Sequence, residues 1–444
     1  MTYAECSYYI LVTDCSVTIL IMKSEKTLKH NTKQLILDAA FSFFEKPNFN
    51  QFSMSEIAKK VGITKPAIYR HFVCRDQIIE EMENSFFEVL QNSFLASANF
   101  KTEKEFNNYS LTTLIKIFSD KPEFINYFVS QISFNKKFEK RFLLLLRKQG
   151  VHKKLQSIIG SGFNEKDFEK SIEFGFLFFS FVFFIKTRNA VLQKNQNFQK
   201  INDKENENRI FAEKLLKFIQ CGLFNSLKEI LPFENKAISP ERLTELNKIC
   251  RLNKEDFSEE NKIFKAVAEV IKKNQFKKIT VEQIADELNM SKSSLYFYFE
   301  NKNQMLYSLI DNELTLLQTI CQENITESKN YIEEVYIILR TELEFFLMRP
   351  SIIPTCGWLL QAKTEADVIC DEELFISPTE KKLCEAFSKI DLGFTLTPNI
   401  FSIWIRMIPV NLIIVCTKNK LPDQKIFESL SLIFGFLQNG ISYE

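Results

Sequence analysis

Glycine and proline are scarce in this chain, 10 and 11 among 444 residues. That argues against an all-β fold, which needs many tight turns. Histidine is scarcer still. His30, His71 and His152 stand without metal-ligand spacing, so zinc sites and histidine-dependent catalysis have no support. The ten cysteines, scattered from Cys6 to Cys416, form no CxxC pair. Disulfide frameworks belong mostly to short secreted chains, so these read as free thiols in a reducing cytosol. A strong net charge is also missing, since 57 basic residues face 56 acidic ones. Any basic surface must therefore be local. No Gly-rich phosphate loop and no Ser/His/Asp set is present. The sequence thus offers no catalytic residues, no cofactor site and no metal ligands.

What is present is an ordinary globular balance, 45% apolar and 25% charged, in a chain long enough for two to four domains. Phenylalanine reaches 45; together with abundant Lys and Asn this points to an AT-rich coding sequence behind part of the excess. Residues 1–22 contain "YYILVTDCSVTILIM". The stretch has no basic n-region, carries Asp14 and lacks a small-residue cleavage site, so it is a poor signal peptide. It is also too short and interrupted for a membrane span. From Met22 onward, "KSEKTLKHNTKQLILDAA" reads as a basic arm leading into a helix. Residues 1–22 therefore read as an N-terminal extension, with a weak membrane anchor as the alternative.

The chain repeats itself. At an offset of 227, residues 36–79 align with 263–306 without a gap, and ten of the 44 positions are identical, among them Ile57/Ile284, Ala58/Ala285, Lys65/Lys292, Tyr69/Tyr296 and Phe72/Phe299. A period this long means duplicated domains rather than a solenoid. Each copy reads as three short helices and the start of a fourth. The first, over about 32–46, places Leu35, Ile36, Ala39, Ala40, Phe43 and Phe44 at helical spacing. Ser53 and Glu56, and again Thr280 and Gln283, have the spacing of a capping box that opens the second helix. Gly62 then ends it in a left-handed turn; Asn289, the next most tolerant residue, stands at the same place in the second copy. Thr64 and Ser291 cap a third helix, with Pro66 in its first turn.

Helix, tight turn, helix is the geometry of a DNA reader whose second helix enters the major groove. Lys65, Pro66 and Ala67 would face the groove, and Tyr69, Arg70 and His71 would reach bases or flanking phosphates. Lys292, Ser293, Ser294, Tyr296, Phe297 and Tyr298 are the equivalents in the second copy. Arg75 and Lys302, just beyond, are placed for phosphate, and the caps Thr64 and Ser291 complete the candidate DNA-binding set. Residues 23–80 carry a net charge of +4 and residues 261–306 of +3, a basic end on an acidic body. The plainer reading makes Tyr69 and Phe72 core aromatics; for Phe72 and Phe299 it is preferred.

These residues resemble the TetR/AcrR-like bacterial transcriptional regulators. "IAKKVGITKPAIYRHFVCRD" follows that family's signature throughout; "IADELNMSKSSLYFYFENKN" departs from it at Asn289 and Met290. The strong motif covers about 45 residues of each half. Two further echoes extend the duplication: Pro122 and Pro350 correspond at an offset of 228, and "LLKFIQCGL" at 215–223 parallels "IFGFLQNGI" at 433–441 at an offset of 218. The resemblance implies an all-α chain of two tandem TetR-like units. Each would hold an N-terminal three-helix helix-turn-helix domain (23–80 and 261–306) and a helical ligand-binding and dimerisation domain (81–231 and 307–444). Residues 232–260 would link them, with a short helix at 240–250.

Such regulators pair through a four-helix bundle. Here 168–188 and 207–229 would pair with 398–417 and 424–441 inside one chain, and further dimerisation stays open. The polar stretch 189–208 reads as a loop. The apolar run within 174–185 is too short to span a membrane and belongs in a buried bundle. The expectation is a cytoplasmic repressor on a double-stranded DNA operator, released by a small apolar ligand whose pocket residues the sequence does not name. The Phe-rich helices around 86–146 and 310–361 are either the walls of that pocket or plain core. The rival readings are an interaction module of the same fold that has lost operator binding, and an enzyme, which no motif supports.

Overall fold

The computed structural model describes residues 32–45, 52–94, 103–148, 168–194, 204–253, 255, 260–273, 280–296, 302–355, 376–418 and 420–441. Among them every regular element is helical. The residues group into two compact units whose boundary does not follow the sequence repeat. Among the described residues, one unit draws on those from 32 to 148 and from 184 to 216, the other on those from 168 to 183 and from 217 to 441.

In the first unit, α1 (Thr32–Ser42) runs into a 3-10 turn (Phe43–Glu45), followed by α2 (Met54–Val61), α3 (Lys65–Tyr69), α4 (Arg75–Phe94), α5 (Glu103–Asp120), α6 (Pro122–Phe134) and α7 (Lys136–Lys148). Helix α1 packs on α2, α4 and α6. That third neighbour widens its buried face. Phe41 lies 4.7 Å from Phe124 and 5.2 Å from Tyr127, ring to ring, and Leu37 is buried too. Leu35, expected in the core, is instead 37% exposed, because α6 covers the side of α1 that carries Phe41. Phe86 stands at the centre of the unit, with Phe124, Tyr127, Phe128 and Phe138 all within 6 Å of its ring. These rings are buried against one another, which is the plain-core reading of the Phe-rich helices. Aromatic pairs in such tilted arrangements add about 0.5–1.5 kcal/mol each beyond area burial.

Helix α8 (Phe168–Lys194) and helix α9 (Lys204–Cys221) each contribute to both units. The expectation of a loop over 189–208 is corrected: only 195–203 fall outside these helices, with Asn189 and Ala190 buried in α8 and Asn208 in α9. No Gly or Pro interrupts the chain between Gly175 and Gly222, so polar residues continue the helices instead of ending them. The short-run argument against a span is corrected as well. Gly175–Leu192 and Pro398–Thr417 are both long and apolar enough to cross a membrane by length and composition. The first of these windows contains Arg188, buried over the Phe211 ring at 4.7 Å. The composition of a buried core helix passes the same test.

The second unit continues through α10 (Leu223–Leu227), α11 (Pro240–Ile249), α12 (Lys262–Lys273), α13 (Val281–Glu287), α14 (Lys292–Tyr296), α15 (Lys302–Ile325), α16 (Tyr331–Met348), α17 (Pro378–Phe387), α18 (Pro398–Lys418) and α19 (Asp423–Asn439). Helix α11, expected from sequence, opens on Ser239 as N-cap and Pro240 at its first position. It is docked: Arg242 donates to Glu333 at 2.8 Å and to the Glu327 carbonyl, and Asn247 accepts from the Tyr336 hydroxyl at 2.6 Å. Helix α16 packs against α15 and α18. Between α16, α17 and α18 lies a buried ionic group. Arg406 donates to Glu342 at 3.0 Å, to Glu380 at 3.0 Å and to Ser402 at 2.9 Å.

Segments from the two sequence halves meet inside this unit. Phe176 of α8 lies 6.1 Å from Trp404 and 6.2 Å from Phe436. Phe218 of α9 lies 5.8 Å from Trp404, and Phe224 of α10 lies 5.9 Å from Phe434. The Ile441 amide donates to the Ile219 carbonyl at 3.1 Å. Gly222 and Gly440, equivalent positions of the 218-residue echo, touch each other. A Cβ on Gly222 would stand 2.5 Å from the Gly440 nitrogen, and one on Gly440 would stand 1.9 Å from the Gln220 carbonyl oxygen. Equivalent residues in mutual contact are what a two-fold relation produces, and only glycine lets two backbones approach this closely.

Candidate nucleic-acid interface

Each copy of the repeat builds the same backbone from different side chains. In the first, Ser53 sits in extended conformation (φ −95°, ψ 156°) and caps α2. The Glu56 amide donates to Ser53 Oγ at 3.2 Å, and the Ser53 amide donates to Glu56 Oε2 at 2.7 Å. These bonds from Ser53 hold the Glu56 carboxyl below its ordinary range. In the second copy the Gln283 amide donates to Thr280 Oγ1 at 3.3 Å and the Thr280 amide to Gln283 Oε1 at 2.9 Å. Both capping boxes are complete.

The turns match as closely. Gly62 takes φ 76° and Asn289 takes φ 54°, both left-handed. The next amide reaches back to the same place in each: Ile63 to the Ala58 carbonyl at 3.0 Å, Met290 to the Ala285 carbonyl at 2.9 Å. Since nothing lies within 4 Å of a Cβ at Gly62, the position demands backbone conformation alone. Gly62→Val is therefore expected to lower stability by about 1–2 kcal/mol and Gly62→Asn by clearly less, read as melting temperatures of the two variants. Equal losses would show that the turn does not select for left-handed tolerance.

Helix α3 begins at the Thr64 cap, whose Oγ1 accepts from the Ala67 amide at 3.4 Å. Ile68 and Phe72 are buried and seat the helix. Thr64, Lys65, Pro66, Tyr69 and Arg70 are exposed, and Ala67 and His71 half-buried. Tyr69 keeps 47% of its surface, so it is no core aromatic, whereas Phe72 is. Arg75, expected to face phosphate, is half-buried with its guanidinium over the Phe52 ring at 5.3 Å. It opens α4, where the Val73 amide donates to Gln77 Oε1 at 2.7 Å.

In the second copy Ser291 caps α14 by accepting from the Ser294 amide at 3.1 Å, and Leu295 is the buried seat. Ser291, Lys292 and Ser293 are exposed, and Ser294 is half-buried with its hydroxyl 2.7 Å from that of Ser291. Tyr296 ends α14 and Lys302 opens α15. Phe297, Tyr298 and Phe299 lie outside the described residues, as do the 1–22 extension and residues 356–361 of the second Phe-rich stretch. The sequence reading missed Glu282. It pairs with Lys292, and Lys273 pairs with Glu287. Regional charge sums concealed both ion pairs, because the positive total over 261–306 comes largely from lysines outside the reading helices.

Two helices joined by a left-handed turn, the second short, capped and exposed along one side, define a helix-turn-helix unit, present twice in this chain. Residues 36–82 and 263–309 each match the family model described as "Bacterial regulatory proteins, tetR family". Both segments are therefore tetR-family domains, set in an all-α chain. Among curated proteins, the "Biofilm operon icaADBC HTH-type negative transcriptional regulator IcaR" of Staphylococcus aureus strains Newman and COL is 29% identical over 82 residues. That match covers 18% of this chain and 41% of each relative, so the chain spans about two fifths of the length of the relatives it matches. Neither comparison indicates an enzyme.

Proposed function

We propose that this protein is a DNA-binding transcriptional regulator that carries both reading heads of a tetR-type dimer in one chain. The observation that carries this reading is the doubled, fully capped helix-turn-helix with Lys65, Tyr69 and Arg70 exposed on the first short helix. The relatives' printed name, a negative transcriptional regulator, supports repression as its sense. Intramolecular pairing is supported by the Gly222–Gly440 crossing and the Phe176, Phe218 and Phe224 contacts. Those contacts join helices of one half to α18 and α19 of the other. Because the two short helices differ, "KPAIYRH" against "KSSLYFY", the half-sites need not match and the operator is asymmetric. Release by a small apolar ligand in the helical bodies follows by linkage: a ligand that favours one spacing of the heads lowers DNA affinity by as much as its own affinity differs between the two spacings. Such a regulator works in the cytoplasm, where its operator is.

The test is selection of bound duplexes from a random pool by the full chain. An asymmetric enriched site is expected, and Tyr69→Ala and Lys65→Ala are each expected to weaken binding to it. A contact to phosphate by Lys65 contributes about 0.9 to the slope of log affinity against log salt. An enriched palindrome sinks the asymmetric operator. Failure to enrich any duplex leaves the interaction-module reading in its place.

A further inference from the structure

We propose that Glu282 weakens the second reading head by holding Lys292 away from the phosphate backbone. The inference rests on the DNA-binding reading above. Because the caps and turns of the two copies coincide, their charges can be compared position by position at the offset of 227. The first head has Ser55, Lys59, Lys60 and Lys65; the second has Glu282, Asp286, Glu287 and Lys292 in their places. Over 53–71 the basic residues are Lys59, Lys60, Lys65 and Arg70 against Glu56 alone, whereas over the equivalent 280–298 Lys292 stands against Glu282, Asp286 and Glu287. Two heads of the same shape thus have opposite net charge, and the difference lies on the helix before the reading helix.

Glu282 acts on the lysine that both copies share. Its carboxylate forms an ion pair with Lys292, and the hydrogen bond from Lys292 is the main reason the carboxyl is held below its usual range. Both side chains are about half exposed. The pair thus lies on the surface that a duplex would approach if α14 enters the groove. For Lys292 to reach a phosphate, it must leave Glu282, and that carboxylate is then left unpaired close to the phosphates. In the first head Ser55 puts a neutral hydroxyl at the matching position, and among the described residues no carboxylate pairs with Lys65. An exposed pair of this kind adds little to folding, so removing it leaves the head intact. The first head accordingly carries most of the phosphate contact, and the second contributes weakly and with little salt dependence.

The experiment measures binding of the full chain to the duplex it enriches, by fluorescence anisotropy across a KCl series. Glu282→Ser, which installs the first head's residue, is expected to raise affinity several-fold at low salt and to steepen the log–log salt slope by about 0.9, the contribution of one more phosphate contact. Adding Lys292→Ala to that variant is expected to cancel the gain, and Ser55→Glu is expected to weaken binding and flatten the slope. An unchanged or lower affinity of Glu282→Ser, with its helical circular dichroism intact, overturns the proposal. A loss confined to particular bases would mean instead that Glu282 reads a cytosine amino group. Lys65→Ala separates the two levels: if it weakens binding while Glu282→Ser changes nothing, only this inference fails. If neither variant changes binding, the DNA-binding reading fails with it.

Discussion

Gly440→Ala is expected to destabilise the protein by roughly 3 kcal/mol or more, whereas the same substitution five residues earlier, Gly435→Ala, is expected to stabilise it by about 0.5–1 kcal/mol. Gly440 has φ 76° and ψ −177°, a conformation essentially reserved for glycine, so alanine there is strained before any contact is considered. A Cβ would then stand 1.9 Å from the Gln220 carbonyl oxygen and 2.8 Å from the Cys221 carbonyl carbon. Those atoms are backbone, and no rotamer change relieves the overlap. Gly435 lies inside α19, and a Cβ there meets nothing within 4 Å, so alanine gains helix propensity at no steric cost. Gly222→Ala should behave like Gly440→Ala, since its Cβ would lie 2.5 Å from the Gly440 nitrogen. Urea unfolding of the three variants reads the difference directly. If Gly440→Ala is as stable as Gly435→Ala, the two backbones do not cross at these glycines.

The second large effect is expected at the buried ionic group. Arg406→Met should cost about 3–5 kcal/mol near pH 8, because it leaves Glu342 and Glu380 inside the protein without their cation. Both carboxylates are almost completely buried, whereas the arginine side chain keeps 25% of its surface. Burial, opposed by Arg406 and helped by the Glu380 charge, leaves the Glu342 carboxyl raised to about 7. The folded state therefore binds a proton at Glu342 more tightly than the unfolded chain does. Its contribution to stability is fully present below the ordinary carboxyl value of 4.5 and is lost as pH rises through about 7. Removing Arg406 removes the influence that lowers this value, so the deficit of Arg406→Met should be smaller at pH 5 than at pH 8. Glu342→Gln in the same background should restore part of the loss at pH 8 and flatten its pH dependence. A deficit below about 1 kcal/mol at pH 8 would mean that the cation does not compensate these charges.

The capped turn of each reading head could be read from the residues, because its geometry is local. Ser53 with Glu56 and Thr280 with Gln283 close hydrogen bonds over three residues, and Gly62 and Asn289 are chosen by backbone conformation. Neither depends on what lies elsewhere in the chain. Arg75 shows where local reading stops. Its position after the short helix suggests phosphate, yet its guanidinium lies over Phe52, a ring 23 positions earlier that α4 meets as it packs back on α1. Lys292 shows the same. Its alignment with Lys65 is plain in the sequence, but its ion pair with Glu282, ten residues away, needs the turn to be folded before the two side chains meet.

The sequence alone determined that this is an all-helical chain with two copies of one helix-turn-helix design, because spacing, caps and turn residues act within a few positions of each other. Only the tertiary structure decided which faces are covered. It buried Phe41 and left Leu35 outside, carried α8 on through Asn189 to Lys194, and brought Gly222 against Gly440 across 218 residues of chain. Burial and backbone crossings depend on which surfaces meet, and that is a property of the packed helices rather than of any one segment.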